Sequence, residues 1–205
     1  MNYIFYKCKK YNQRYLLIGI TVKKIIVISA PSGGGKSVVS NYILKNFPDV
    51  CFSISSTTRK IREGEKDGIH YYFLTQSDFE NKIKNNEFIE YEEIFGNYYG
   101  TLKSEIENAF NENKILLFDI DVKGAYSIKK HYPDETLLIF LKPPSLEILT
   151  DRLKNRKTEN DEQIKNRIAR AELEIEMSKN FDYIITNDLL EETLNTVHKI
   201  ISENF

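Results

Sequence analysis

Residues 24–46 constrain the fold more tightly than any other part of the chain. Lys24-Ile-Ile-Val-Ile-Ser29 is a short apolar, β-branched run bounded by turn residues, the look of a strand buried on both faces. Ala30-Pro31-Ser32-Gly33-Gly34-Gly35-Lys36-Ser37 follows, and then Val39, Tyr42 and Ile43 recur at helical spacing up to Asn46. Strand, glycine-rich turn and helix in this order make a phosphate-binding loop. Glycines let successive backbone N–H groups turn inward round an anion, and the helix N-terminus adds its positive end. Lys36 is then placed to reach the β and γ phosphates of a nucleotide, and the Ser37 hydroxyl to ligate Mg²⁺. Ala30 stands where the strict pattern has glycine, so the match is partial.

The rest of the chain extends this start into an α/β architecture. Ile115–Ile120, Thr136–Leu141 (stopped by Pro143-Pro144) and Asp182–Thr186 read as further strands. Helices are expected near 102–112, 145–156, 161–179 and 189–202, the third with a buried stripe of Ile164, Ile168, Ala171 and Ile175. Strands alternating with helices mean a parallel sheet with flanking helices. Residues 51–100 break the rhythm, being rich in Tyr, Phe, Ser and Thr. There the pattern predicts a small mixed lobe of short antiparallel strands, including His70–Leu74 and Phe88–Glu92. One helix opens in it at a capping box, Ser77-Asp-Phe-Glu80.

Charge and cysteine narrow the function classes. No apolar run approaches the 18 or more residues of a membrane span; Tyr15–Val22 is among the longest. Cys8 and Cys51 give neither metal-ligand spacing nor a disulfide framework. Net charge is −1, but residues 1–23 carry Lys7, Lys9, Lys10, Arg14 and Lys23 with no acid, leaving a net-acidic remainder. An acidic body argues against nucleic acid as the partner. The basic extension reads as a tail, an edge element or an organelle-targeting segment, otherwise in a cytoplasmic protein.

Lysine outnumbers arginine 22 to 7, so each arginine is informative: an Arg marks a need for the planar guanidinium fork. Six of the seven lie in two clusters. Arg59 and Arg62 share a polar loop, whereas Arg152 and Arg156 are spaced i, i+4 on one helix, with Arg167 and Arg170 on the next. Ordinary surface cations and salt bridges to neighbouring acids remain open for each. A phosphate loop fixes a nucleotide, not a reaction. Asp121-Val-Lys-Gly124 matches the Asp-x-x-Gly of GTPases, but Asn81-Lys82 and Asn113-Lys114 both lack the Asp of a guanine-reading Asn-Lys-x-Asp, which disfavours a GTPase.

Several blocks occur in one order: Ser29–Ser37, Ser53-Ile-Ser-Ser-Thr-Thr-Arg59, Arg62-Glu-Gly-Glu65, Gly68-Ile-His-Tyr-Tyr-Phe73 and Phe95-Gly-Asn-Tyr-Tyr-Gly100. Asp119-Ile-Asp121 with Gly124, Arg152 with Arg156, and Thr186-Asn-Asp188 complete them. From Ile25 almost to the C-terminus the sequence thereby resembles guanylate kinases, enzymes that move the ATP γ-phosphate onto GMP. The resemblance implies a core of residues 24–50, 101–144 and 171–205, a GMP-binding lobe at 51–100 and a lid at about 145–170. It implies ATP binding by Ser32, Gly33, Gly34, Gly35, Lys36, Ser37, Val38, Arg152, Arg156 and Asn187. GMP falls to Ser55, Arg59, Arg62, Tyr71, Glu90, Tyr99, Thr101, Asp119 and Asp121. Catalysis falls to Lys36, Arg59, Asp119, Arg152 and Arg167, with Mg²⁺ held by Ser37 and, through water, by Asp119. Arg170 matches no such position.

Within that scheme one carboxylate, Glu90, accepts both guanine donors, N1–H and the 2-amino group, where adenine offers an acceptor. Ile61, Lys123 and Lys157 depart from the usual Pro, Gln and Gly, and none removes a functional group. His70, His131 and His198 belong to no motif. The expected partners are ATP and GMP or dGMP, with no nucleic acid or membrane, in a monomer or weak dimer. Two other readings stand beside the enzyme: a guanylate-kinase-like scaffold module that binds phosphorylated partners, and a kinase of another nucleoside monophosphate. Intact Lys36 and Ser37, and a chain too short for an adapter domain, favour the enzyme.

Overall fold

The computed structural model describes residues 23–94, 96–155 and 161–205. The expectations about residues 1–22, Arg156 and Lys157 lie outside these. The chain runs β1 (Ile25–Ser29), α1 (Lys36–Asn46), β2 (Val50–Phe52), β3 (Ser56–Thr57), β4 (Tyr72–Phe73), α2 (Gln76–Lys84), β5 (Phe88–Ile94) and β6 (Asn97–Leu102). It continues through α3 (Lys103–Asn111), β7 (Ile115–Asp119), α4 (Val122–His131), β8 (Thr136–Lys142), α5 (Leu146–Lys154), α6 (Asp161–Met177), β9 (Tyr183–Thr186) and α7 (Leu190–Asn204).

Five strands form one all-parallel sheet in the order β2-β7-β1-β8-β9. Side chains alternate across a strand, so one run of β1 builds two cores. Ile26 and Ile28 meet Val39 and Ile43 of α1 and Val197, Ile200 and Ile201 of α7 on one face. Ile25 and Val27 meet Ile106 and Ala109 of α3 and Val122, Ala125 and Ile128 of α4 on the other. β1 is completely buried, as expected of the central strand of a doubly covered sheet. Among the described residues no helix is long and apolar enough to cross a membrane.

The second sheet has the order β4-β3-β6-β5, and β3 pairs antiparallel with β6. β5 and β6 form an antiparallel hairpin, as the sequence predicts. Two local expectations are corrected. The strand at His70–Leu74 shortens to Tyr72–Phe73 and runs parallel to β3, because Leu74 donates its N–H to Thr57 and Tyr72 to Ser55 on the same side. The capping box belongs to Thr75 and Asp78, not Ser77 and Glu80. Thr75 Oγ1 accepts from the Asp78 N–H at 3.1 Å and donates to its carboxylate at 2.6 Å. Phe79 of α2, fully buried, stacks between Phe88 and Tyr98 and pins this helix to the hairpin.

α5 and α6 bury a small core of Leu149, Leu153, Ile164 and Ala171, with Ile168 packed against it. Ser145 caps α5, accepting from the Ile148 N–H. The last turn expected of the long helix is a 3₁₀ turn over Ser178–Asn180.

Candidate active site

The carboxyl ends of β1 and β7 are adjacent, the position at which open α/β sheets bind ligands. From β1 the chain enters the glycine loop. Gly35 caps α1 with φ +93°, a left-handed conformation that costs a side chain strain. No side chain caps this helix, so its first N–H groups are left for a ligand. Lys36 donates to the Ala30 carbonyl at 2.7 Å and sits 4.0 Å from the Asp119 carboxylate at the end of β7. Burial pushes the Asp119 carboxyl above the usual range, and Lys36 works in the opposite direction. Ser37 and Val38 are exposed on the first turn of α1.

The loop is held from behind by Asn187. Its side chain donates to the Gly34 carbonyl at 2.8 Å and accepts from Thr193 at 3.0 Å, both within the protein interior. A Cβ on Gly35 would lie 2.5 Å from the same amide nitrogen. Arg152 of α5 donates to the Asn187 backbone carbonyl at 3.1 Å, and Arg167 of α6 hydrogen-bonds the Ser32 hydroxyl. Thus two of the expected lid arginines already border the phosphate loop.

Across the cleft, Arg59 makes a two-pronged pair with Glu65, at 2.7 and 3.0 Å. Glu65 also accepts the Arg62 N–H at 2.8 Å, and these donors hold its carboxyl down at about 2. The Arg59 guanidinium lies 5.4 Å from the Tyr71 ring centre, and Tyr71 meets Tyr99 edge-on at 6.1 Å. Arg62 itself is exposed. A polar cleft lined by Phe52, Ser53, Ser55, His70, Tyr71, Phe118, Asp119 and Ile120 links this cluster to the end of β7.

The fourth group is acidic. Glu90 pairs with Thr101 across the hairpin. Burial pushes the Glu90 carboxyl up to about 7, with Asp121 and Glu92 adding repulsion and Thr101 opposing. Asp121 caps α4, accepting the Gly124 N–H at 2.8 Å. A Cβ on Gly124 would lie 3.3 Å from Asp121 Oδ1 and 3.4 Å from Glu90 Oε2, so both acids converge on that glycine. The Thr101 hydroxyl is fully buried.

Three residues at the cleft were assigned no role by the sequence reading: Glu65, Ser53 and His70. Glu65 was visible only as part of a block; its partnership with Arg59 depends on the loop turning back at Gly64, φ +83°. Ser53 has a buried hydroxyl with no hydrogen-bond partner and lines the cleft. His70 also lines it. Its Nδ1 accepts the Lys66 N–H at 3.0 Å, which leaves the proton on Nε2 in the neutral ring.

Comparisons with known proteins place the chain in a family. The family model described as guanylate kinase matches residues 22–204. A guanylate kinase of Chlorobium luteolum is 48% identical over 181 residues, 88% of this chain and 92% of that protein. One from Rickettsia felis is 48% identical over 177 residues, 86% of this chain and 92% of its own. The crystal structure of guanylate kinase from Anaplasma phagocytophilum superposes with a TM-score of 0.70 at 32% identity, covering 90% of this chain and 87% of that one. With a matching family model over nearly its whole length and relatives close to half identical, the chain belongs to the guanylate kinase family.

Proposed function

We propose that the cleft performs the ATP-dependent phosphorylation of GMP, the activity of this family, by in-line attack of a GMP phosphate oxygen on the γ-phosphorus. The observation that carries this is the meeting of Lys36 with Asp119 at one end of a polar cleft whose other end holds Tyr71 and, against it, Arg59. Two polyanions brought head to head repel strongly. A loop of backbone N–H donors, Lys36 and five guanidinium forks would offset that repulsion.

The division of labour we propose joins the family resemblance to the neighbours that the described residues keep. Ser32, Gly33, Gly34, Gly35, Lys36, Ser37 and Val38 take the ATP phosphates, with Asn187 fixing the loop beneath them. Arg152, Arg156 and Arg167 close over the donor. Arg59, Arg62, Tyr71 and Tyr99 take the GMP phosphate, and Glu65 presets the Arg59 fork for it. Ser55, Thr101, Glu90 and Asp121 address the base. Asp119 borders both substrates.

Hard oxygen donors fit Mg²⁺, which keeps most of its waters and uses one or two carboxylates besides substrate phosphates. Among the described residues no group of three or more His, Cys, Asp or Glu could hold a metal alone, so the phosphates must complete the shell. The Ser37 hydroxyl and, through water, Asp119 would hold the ion, which neutralises charge on the transferring group when bound. No general base is required, because the attacking phosphate is already ionised. Lys36→Ala should reduce kcat at least 10³-fold and leave the far-UV circular dichroism unchanged. Near-normal turnover in that variant would refute the assignment.

A further inference from the structure

Arg170 has no place in the division of labour above, yet it is the cation at which three elements, α6, β5 and the start of α4, meet. Its Nη2 donates to Asp121 Oδ2 at 2.9 Å and reaches Glu92 Oε2 at 3.4 Å, and its Nε donates to Glu174 at 2.9 Å. Asp121 is therefore held at both oxygens, one by the Gly124 N–H at the start of α4 and the other by Arg170. Glu90 and Glu92 are two residues apart on β5 and so project to the same side of the hairpin. Three carboxylates thus crowd the base end of the cleft, with Glu174 behind them and Lys123 of α4 also acting on Glu92. A lysine could meet one of these acids. The fork of an arginine meets several at once, in a chain that otherwise prefers lysine.

We infer that Arg170 is a positioning residue for base recognition: it orients the Asp121 carboxylate toward the base and offsets the charge of Glu92. Arg167, one turn away on the same face of α6, contacts Ser32 of the phosphate loop instead, so the two arginines serve different ends of the cleft. The inference rests on the reading that Glu90 and Asp121 take the guanine edge.

The test is steady-state kinetics on Arg170→Met, Arg170→Lys, Glu92→Gln and the double variant Arg170→Met/Glu92→Gln, with thermal unfolding of each. Arg170→Met should raise the KM for GMP roughly tenfold, with kcat and the KM for ATP changed less than about threefold. Arg170→Lys should restore only part of the loss, because one ammonium cannot replace the fork. Glu92→Gln should recover most of it in the Arg170→Met background, since the repulsion that Arg170 offsets is then gone. An unchanged KM for GMP in Arg170→Met, no recovery in the double variant, or an equal rise in the KM for ATP would overturn the inference. If Arg170→Met does not fold, Arg170→Lys decides alone, and a wild-type KM for GMP in it overturns the role of the fork. Glu90→Gln in the same assay separates the two levels. If it leaves the GMP-over-AMP preference intact, the base reading itself fails, whatever Arg170 does.

Discussion

On the proposed base reading, Glu90 ties an affinity to a stability through one carboxyl. Its carboxyl is pushed to about 7 in the free protein, whereas an unfolded glutamate titrates near 4.3. Guanine donors need the ionised form, so GMP binding should weaken as pH falls through about 7. The KM for GMP should rise more steeply between pH 7.5 and 6 in the wild type than in Glu90→Gln, which keeps the titration of GMP itself. Parallel profiles would remove Glu90 from the role. The stability sign is opposite. A raised carboxyl pKa costs nothing below about 4.3 and its full penalty above about 7, so Glu90→Gln should gain on the wild type as pH rises between those values. The gain is on the order of 3 kcal/mol at pH 8, read as a higher Tm there than at pH 4.5. Glu65 makes the companion case. Glu65→Gln loses one arm of the Arg59 pair, and should raise the KM for GMP several-fold with little effect on the KM for ATP, measured by varying each substrate in turn. Arg59 was legible in the sequence because this chain spends arginine sparingly. Glu65 was not, since its partner is chosen by a turn at Gly64 that residue types alone do not specify.

At the scale of elements, the phosphate loop is a turn that only glycine accommodates at Gly35, held from behind by Asn187. Gly35 adopts φ +93° and leaves no room for a Cβ beside the Asn187 amide. Gly35→Ala should lower stability by about 1–3 kcal/mol and raise the KM for ATP at least tenfold, because the backbone N–H groups lose their aim. A wild-type Tm and KM for ATP in that variant would contradict this account of the loop. The long periodic elements were legible: β1 as a β-branched run, β7 and β8 as apolar runs, and α6 as a stripe from Ile164 to Ile175. Short elements were not. β3 and β4 have two residues each, so their pairing is decided by partners across the sheet rather than by their own pattern. The cap of α2 moved from Ser77 to Thr75 for a related reason. Thr-x-x-Asp and Ser-x-x-Glu both fit the start, and the hydroxyl that takes a first-turn N–H, that of Asp78, is Thr75's.

For the whole molecule, the account holds that one cleft carries two anionic nucleotides and that its acidic end admits guanine alone. The parallel sheet with flanking helices was foreseeable, because a buried strand followed by a glycine-rich turn and a helix leaves few architectures open. How the acids are balanced was not, since Arg170 meets Asp121, Glu92 and Glu174 only when α6 packs over the hairpin. The most direct measurement is a coupled assay of ATP consumption with GMP, dGMP, AMP, CMP, UMP and dTMP as acceptors. The account predicts turnover with GMP and dGMP, and a kcat/KM for AMP lower by ~10⁴, as expected where the wrong base leaves a buried carboxylate unpaired. Comparable kcat/KM values for GMP and AMP, or no turnover with any acceptor, would contradict it.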